Sequence, residues 1–138
     1  MAKHITGSCL CGAVTYEINA DPLFAGLCHC TDCQKYTGTG HAAAIGVPAD
    51  AATVKGDVKK YDKTADSGGT ISRHFCASCG SPIYNTLSHA PGVMVFAAGG
   101  FDDLNQFEPQ ISVYTSRAAQ WDKPKEDIPA FPEMPPQG

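Results

Sequence analysis

Apolar and polar positions alternate with a period of two at several places along the chain, and nowhere do they sustain a period of 3.6. Val14, Tyr16 and Ile18 are apolar while Thr15 and Glu17 between them are polar. That alternation predicts a half-buried strand, because successive side chains of a strand face opposite sides of the sheet. Apolar runs at 41–47, 70–75, 83–86, 93–98 and 111–115 predict further strands. Asp66-Ser-Gly-Gly, Ala90-Pro-Gly and Gly99-Gly100 punctuate these runs and predict turns. One short helix is expected. Thr31 followed three residues later by Gln34 fits a capping box, and Gly38 stands where a helix of about two turns would stop. Lys55, Lys59, Lys60 and Lys63 read as a solvated strand and turn. From Pro124 onward proline recurs at 129, 132, 135 and 136, which predicts an extended strap or a mobile tail over 124–138.

Composition narrows the class. A chain of 138 residues that is 43% apolar suffices for one domain with one core. Charged residues are only 17%, while 14 glycines and 10 prolines favour short strands and many turns. The net charge of −4 gives no electrostatic footprint for nucleic acid or an anionic membrane. No apolar stretch approaches the ~20 residues needed to cross a bilayer, and the first residues lack the apolar core of a secretion signal. A cytoplasmic protein with reduced thiols is therefore expected. Against that expectation the seven cysteines stand out. An odd count in a reducing compartment points to metal or redox chemistry rather than a disulfide framework.

The cysteines fall into two constellations. Cys9-Leu-Cys11 and Cys76-Ala-Ser-Cys79 are two short thiol knuckles separated by a folded stretch, the way a chain builds a closed tetrahedral zinc site. Gly12 and Gly80 follow the knuckles and suit the tight turns that aim backbone N–H groups at the sulfurs. Buried free thiols or a redox pair are the competing readings. Cys28-His-Cys30-Thr-Asp-Cys33 places three sulfurs within six residues. Three protein ligands are what an open zinc site provides, leaving the fourth position for water or substrate. The expected helix would set its positive end beside Cys30 and Cys33 and lower their pKa values. Two alternatives stay open on spacing alone: a closed site with His29, His41 or His74 as fourth ligand, and a redox pair of Cys30 and Cys33. His29, between two presumed ligands, is too crowded to bind the same ion and reads as a surface or supporting residue. His4 and His89 read as solvated.

Three strings, Gly7-Ser-Cys-Leu-Cys-Gly-Ala-Val-Thr-Tyr, Cys28-His-Cys-Thr-Asp-Cys-Gln-Lys-Tyr-Thr-Gly and Phe75-Cys-Ala-Ser-Cys-Gly-Ser-Pro-Ile-Tyr, resemble the glutathione-dependent formaldehyde-activating enzyme family, which includes the zinc domain of centromere protein V. The resemblance runs from about Thr6 to Trp121 and takes in Ser112-Val-Tyr-Thr-Ser-Arg-Ala-Ala-Gln-Trp. It implies a mainly β fold of several small coiled antiparallel sheets around zinc knuckles, with one short helix, like methionine sulfoxide reductase B. It implies a single zinc-binding domain over 1–123, followed by the Pro-rich tail. By the family pattern Cys9, Cys11, Cys76 and Cys79 hold a structural zinc, and Cys28, Cys30 and Cys33 hold a catalytic one. Two zinc ions per chain are implied, the second open to being partly occupied or absent. The basic, Pro-rich extension that precedes the zinc domain of centromere protein V has no counterpart here, which removes the basis for a chromatin role.

The implied activity is that of a carbon–sulfur lyase forming S-hydroxymethylglutathione from formaldehyde and glutathione. The expected partners are thus a small thiol such as glutathione and an aldehyde, with no nucleic acid or membrane. A zinc carrying three thiolates is electron-rich, a poor generator of hydroxide and better suited to capturing a substrate thiol. Lys35, Arg73 and Arg117 are candidates for the peptide part of such a thiol. A noncatalytic zinc module or glutathione carrier is the alternative function. A thiol–disulfide or sulfoxide reductase is a further rival, weakened because all seven cysteines match ligand positions.

Overall fold

The computed structural model describes residues 3–65 and 68–135. The period-two reading is carried by ten strands: β1 His4–Ser8, β2 Thr15–Asn19, β3 Phe24–Cys28, β4 Ala42–Pro48, β5 Ala52–Lys55, β6 Val58–Thr64, β7 Thr70–Cys76, β8 Pro82–Leu87, β9 Ala90–Ala97 and β10 Ile111–Val113. One α-helix, α1 Thr31–Thr37, lies among the described residues. The fold is mainly β, as expected. Strands β1-β2-β5 form a three-stranded sheet, and β10-β3-β4-β9-β8-β7-β6 form a seven-stranded one. All pairings between these ten strands are antiparallel except β10 with β3, where Ile111 faces Gly26 and Val113 faces Cys28.

The two sheets bury one core. Val14, Tyr16 and Ile18 are buried as the alternation predicts, while Thr15 and Glu17 are exposed. They meet Ile45, Val47, Ile83 and Phe96 from the larger sheet, with the Tyr16 and Phe96 rings 4.8 Å apart. Ile45, Ile83 and Phe96 are fully buried, the kind of side chain whose burial stabilises by about 1.5–3 kcal/mol each. At Gly7 the packing leaves no room for a side chain: a Cβ would lie 2.3 Å from the Tyr16 hydroxyl and 2.4 Å from the Gly100 carbonyl.

Two expectations change, and some strands form that the pattern does not announce. The strands β1, β3 and β5 carry no clear alternation of their own and are stabilised by pairing with β2 and β4. Ala90-Pro-Gly opens strand β9 rather than making a turn; the turn falls at Ser88 and His89. The capping box does not form. Cys30 is the N-cap, its sulfur accepting from the Cys33 N–H at 3.3 Å, and the Gln34 side chain instead donates to the carbonyls of His29 and Arg117, each at 2.8 Å. Gly38 does cap the C-terminus, at φ 77°, where only glycine is unstrained. Part of the Asp66-Ser-Gly-Gly turn, Asp66 and Ser67, lies outside the described residues. Of the two forms expected for the Pro-rich end, the segment 129–131 takes that of a strap: Pro129 accepts from the Ser112 N–H, Phe131 donates to the Ser112 carbonyl and accepts from Thr115.

Candidate functional site

The sulfurs of Cys9, Cys11, Cys76 and Cys79 lie within 4.8 Å of one another. Cys9 and Cys11 come from the turn joining β1 to β2, Cys76 and Cys79 from the turn joining β7 to β8. The cluster therefore clasps the small sheet to the large one. Cys9 and Cys11 sulfurs are 3.6 Å apart, and Cys11 and Cys76 sulfurs 3.8 Å. Both knuckles have the form expected from their glycines. Gly12 at φ 81° and Gly80 at φ 79° close turns in which Val14 N–H donates to the Cys9 sulfur, and Ser78 and Cys79 N–H donate to the Cys76 sulfur. These donors favour thiolate. The Val14 N–H holds Cys9 below the usual thiol range, and the Ser81 hydroxyl brings Cys79 down to about 5.

The sulfurs of Cys28, Cys30 and Cys33 form a second cluster, again within 4.8 Å. The strand β3 ends on Cys28, Cys30 caps α1, and Cys33 sits in the first turn of that helix. Among the described residues no histidine, aspartate, glutamate or further cysteine joins this group. Within the trio one sulfur takes the negative charge. Hydrogen bonds from the Cys28 and then the Cys33 thiol, backed by the Cys33 and Asp32 N–H groups, pull Cys30 down to about 2. Its neighbour Cys28 is pushed up to about 11, chiefly by yielding that charge to Cys30. A cationic guest suits such a cluster, and both cysteine clusters could hold a metal ion.

The histidines do not close the trio. His74 stacks on Tyr84, with ring centroids 4.3 Å apart and planes 10° from parallel. His29 is not on the surface, one of the two roles expected of it: it is 1% exposed and lies with His41 and Asp122 in a third group of potential ligand atoms within 4.8 Å. Burial first, and then the neighbouring His41, keep its pKa low, while the Asp122 carboxylate opposes them.

The helix α1 also lines a cavity of about 420 Å³ with Asp32, Lys35 and Tyr36; Lys63, Arg73 and Phe75 face it from β6 and β7. Arg73 is 8% exposed, its Nε has no hydrogen-bond partner, and its guanidinium lies 5.2 Å over the Tyr36 ring. Lys63 pairs with Asp32 at 2.6 Å. Of the three basic residues picked from sequence, Lys35 and Arg73 line this cavity, whereas Arg117 lies over Tyr114 and does not. The sequence groups Lys63 with a solvated run, and no local signal marks it, since its partner Asp32 is 31 residues away on α1.

Fold and clusters together define a β-rich protein with two separate thiol clusters, each sized for one metal ion. The sequence profile of the glutathione-dependent formaldehyde-activating enzymes matches residues 4–117, so the chain belongs to that family. A Halomonas elongata protein, named provisionally for the same activity, is 33% identical over 123 residues, covering 85% of this chain and 78% of its own. The fold is similar to the crystal structure of a Rhodobacter sphaeroides protein, with a TM-score of 0.58 and 21% identity over 75% of this chain and 96% of that one.

Proposed function

We propose that the protein is a zinc-dependent carbon–sulfur lyase of the S-hydroxymethylglutathione synthase type, in which Cys28, Cys30 and Cys33 hold the catalytic zinc and Cys9, Cys11, Cys76 and Cys79 a structural one. The observation that carries it is the three-sulfur cluster with no fourth ligand among the described residues, set on the helix that also lines a basic cavity. Three thiolates fit a borderline-soft divalent ion and leave one position for a guest. A zinc held there would supply Lewis-acid stabilisation of a substrate thiolate at neutral pH, where a free thiol is only a few per cent ionised, worth roughly ten- to fifty-fold.

The chain's own residues do the rest. The cavity has the volume of a small-molecule site, and Lys35, Lys63 and Arg73 give it the charge to receive the carboxylates of glutathione. Arg73 is the strongest anchor because its side chain is already largely buried, with the guanidinium over the Tyr36 ring. Orientation of the thiol against the aldehyde supplies any acceleration beyond ionisation.

Cobalt-substituted protein tests the reading. Glutathione is expected to shift the sulfur-to-cobalt absorption, and no shift at millimolar glutathione would refute it. Arg73→Ala is expected to weaken glutathione roughly ten- to hundredfold, the worth of a lost charge-assisted contact, while a small neutral thiol binds as before. A shift with no rate above the spontaneous thiol–formaldehyde reaction would identify a thiol carrier instead of an enzyme.

A further inference from the structure

His29, His41 and Asp122 take no part in either cysteine cluster, yet they come together, the two histidines from either side of α1 and the aspartate from far along the chain. The His41 Nδ1 lies 2.5 Å from Asp122 Oδ2, across 81 residues of sequence. The two side chains are 31% and 21% exposed, so this is a half-buried pair rather than a loose surface contact. The His29 ring lies 5.3 Å from the His41 ring and is buried, with neither nitrogen in a hydrogen bond of good geometry. A buried imidazole left without partners is costly unless something else binds it. Backbone shape has been adapted to the same group. Gly40 is buried, and a Cβ there would lie 2.1 Å from Asp122 Oδ2 and 2.6 Å from the Asp122 Cβ. Glycine at 40 is what lets the carboxylate in.

We infer that His29, His41 and Asp122 form a third metal site, taking a divalent first-row transition ion such as Zn²⁺ or Co²⁺ on two imidazoles and one carboxylate. The donor set suits a borderline ion better than magnesium or calcium, which prefer oxygen alone. Donors about 2.0 Å from a tetrahedral ion stand roughly 3.3 Å apart. Potential ligand atoms already within 4.8 Å need only small side-chain rotations to reach that spacing, and the His41–Asp122 pair opens by less than about 1 Å. Successive side chains of an extended segment point opposite ways, so His29 is directed away from the sulfurs of Cys28 and Cys30 on either side of it. Two ions can therefore sit on opposite sides of the same few residues. The ligand set leaves at least one position open for water.

The test is metal counting on the untagged full chain equilibrated with Zn²⁺ and read by native mass spectrometry. His41→Ala, Asp122→Asn and Gly40→Ala are each expected to hold one ion fewer than wild type, with all seven cysteines intact. The difference between wild type and variant is the readout, so it stands whatever number the cysteine clusters hold, and Cys30→Ser loses its ion independently. Gly40→Ala keeps all three ligands and asks whether their approach matters. A second readout uses Co²⁺: an imidazole on cobalt gives a paramagnetically shifted N–H proton resonance that exchanges in D₂O, which thiolate sites lack and His41→Ala should abolish. Wild type and variants holding equal numbers of ions would overturn the proposal, as would a His41→Ala protein that is less stable but has lost no metal. Either result would leave a hydrogen-bonded pair with a purely structural role.

Discussion

Replacing Cys76 and Cys30 separately by serine should divide the two cysteine clusters by the length of chain each one closes. Cys11 and Cys76 are 65 residues apart in sequence, and their cluster joins the two sheets. Treating a bound ion as a cross-link, closing a loop of that length removes about 4 kcal/mol of unfolded-chain entropy, whereas the short span from Cys28 to Cys33 removes about 2 kcal/mol. Cys76 adds a local cost, because the residue is 1% exposed in the core and its sulfur accepts two N–H groups. Serine at 30 adds little, since a hydroxyl is a good N-cap and can still accept from Cys33. With about 3 °C of melting temperature per kcal/mol for a chain of this size, Cys76→Ser should lower Tm by about 15 °C and Cys30→Ser by about 6 °C. The assay is thermal unfolding by circular dichroism at one fixed free-zinc concentration, because ligand binding to the folded state moves Tm by mass action. Native mass spectra must show that each variant has lost a single ion. Equal losses of Tm, or a larger one for Cys30→Ser, would refute the division of roles and make the trio a second structural site.

Gly7→Ala should cost about 2–4 kcal/mol in urea unfolding, since its Cβ meets both the Tyr16 ring and a backbone carbonyl that cannot swing away. Adding Tyr16→Phe should recover only part of that loss, and full recovery would mean the Gly100 carbonyl yields. Burial, and then the Asp102 charge, raise the Tyr16 pKa above the ordinary value near 10. Its neutral form is favoured in the folded state, so the stability it contributes is complete below about pH 10 and is lost as pH rises toward the folded-state value. Unfolding free energies measured across pH 9 to 11 should fall more steeply for wild type than for Tyr16→Phe, and parallel curves would rule this out. Lys63→Ala removes an ion pair that is half exposed on both sides and should change stability by no more than about 1 kcal/mol, while weakening glutathione in the cobalt assay. A loss of several kcal/mol would show that the pair supports the fold.

Local chemistry made much of the protein legible. The period-two pattern at 14–18 placed β2 and its buried face, Gly38 marked the end of α1, and Gly12 and Gly80 marked the knuckle turns. The cysteine spacing sorted seven sulfurs into a quartet and a trio, and both groups are found together in space. These features are short-range: a knuckle, a cap and an alternating strand each depend on a handful of neighbouring residues. Weak strands such as β1 and β3 were hidden because their extended form is stabilised by partners elsewhere in the chain.

What only the folded chain decided involves residues far apart in sequence. The capping box at Thr31 lost to Cys30, because the Gln34 side chain found better acceptors at His29 and Arg117. Arg73, one of three basic candidates by sequence, becomes a desolvated cation over Tyr36 only through the register of β7. His29 and His41, two candidate fourth ligands, are drawn instead to Asp122, a residue with no sequence signal of its own. Spacing can announce a metal site only when its ligands are neighbours in the chain; where they converge from 29, 41 and 122, the packing that brings them together is itself the information.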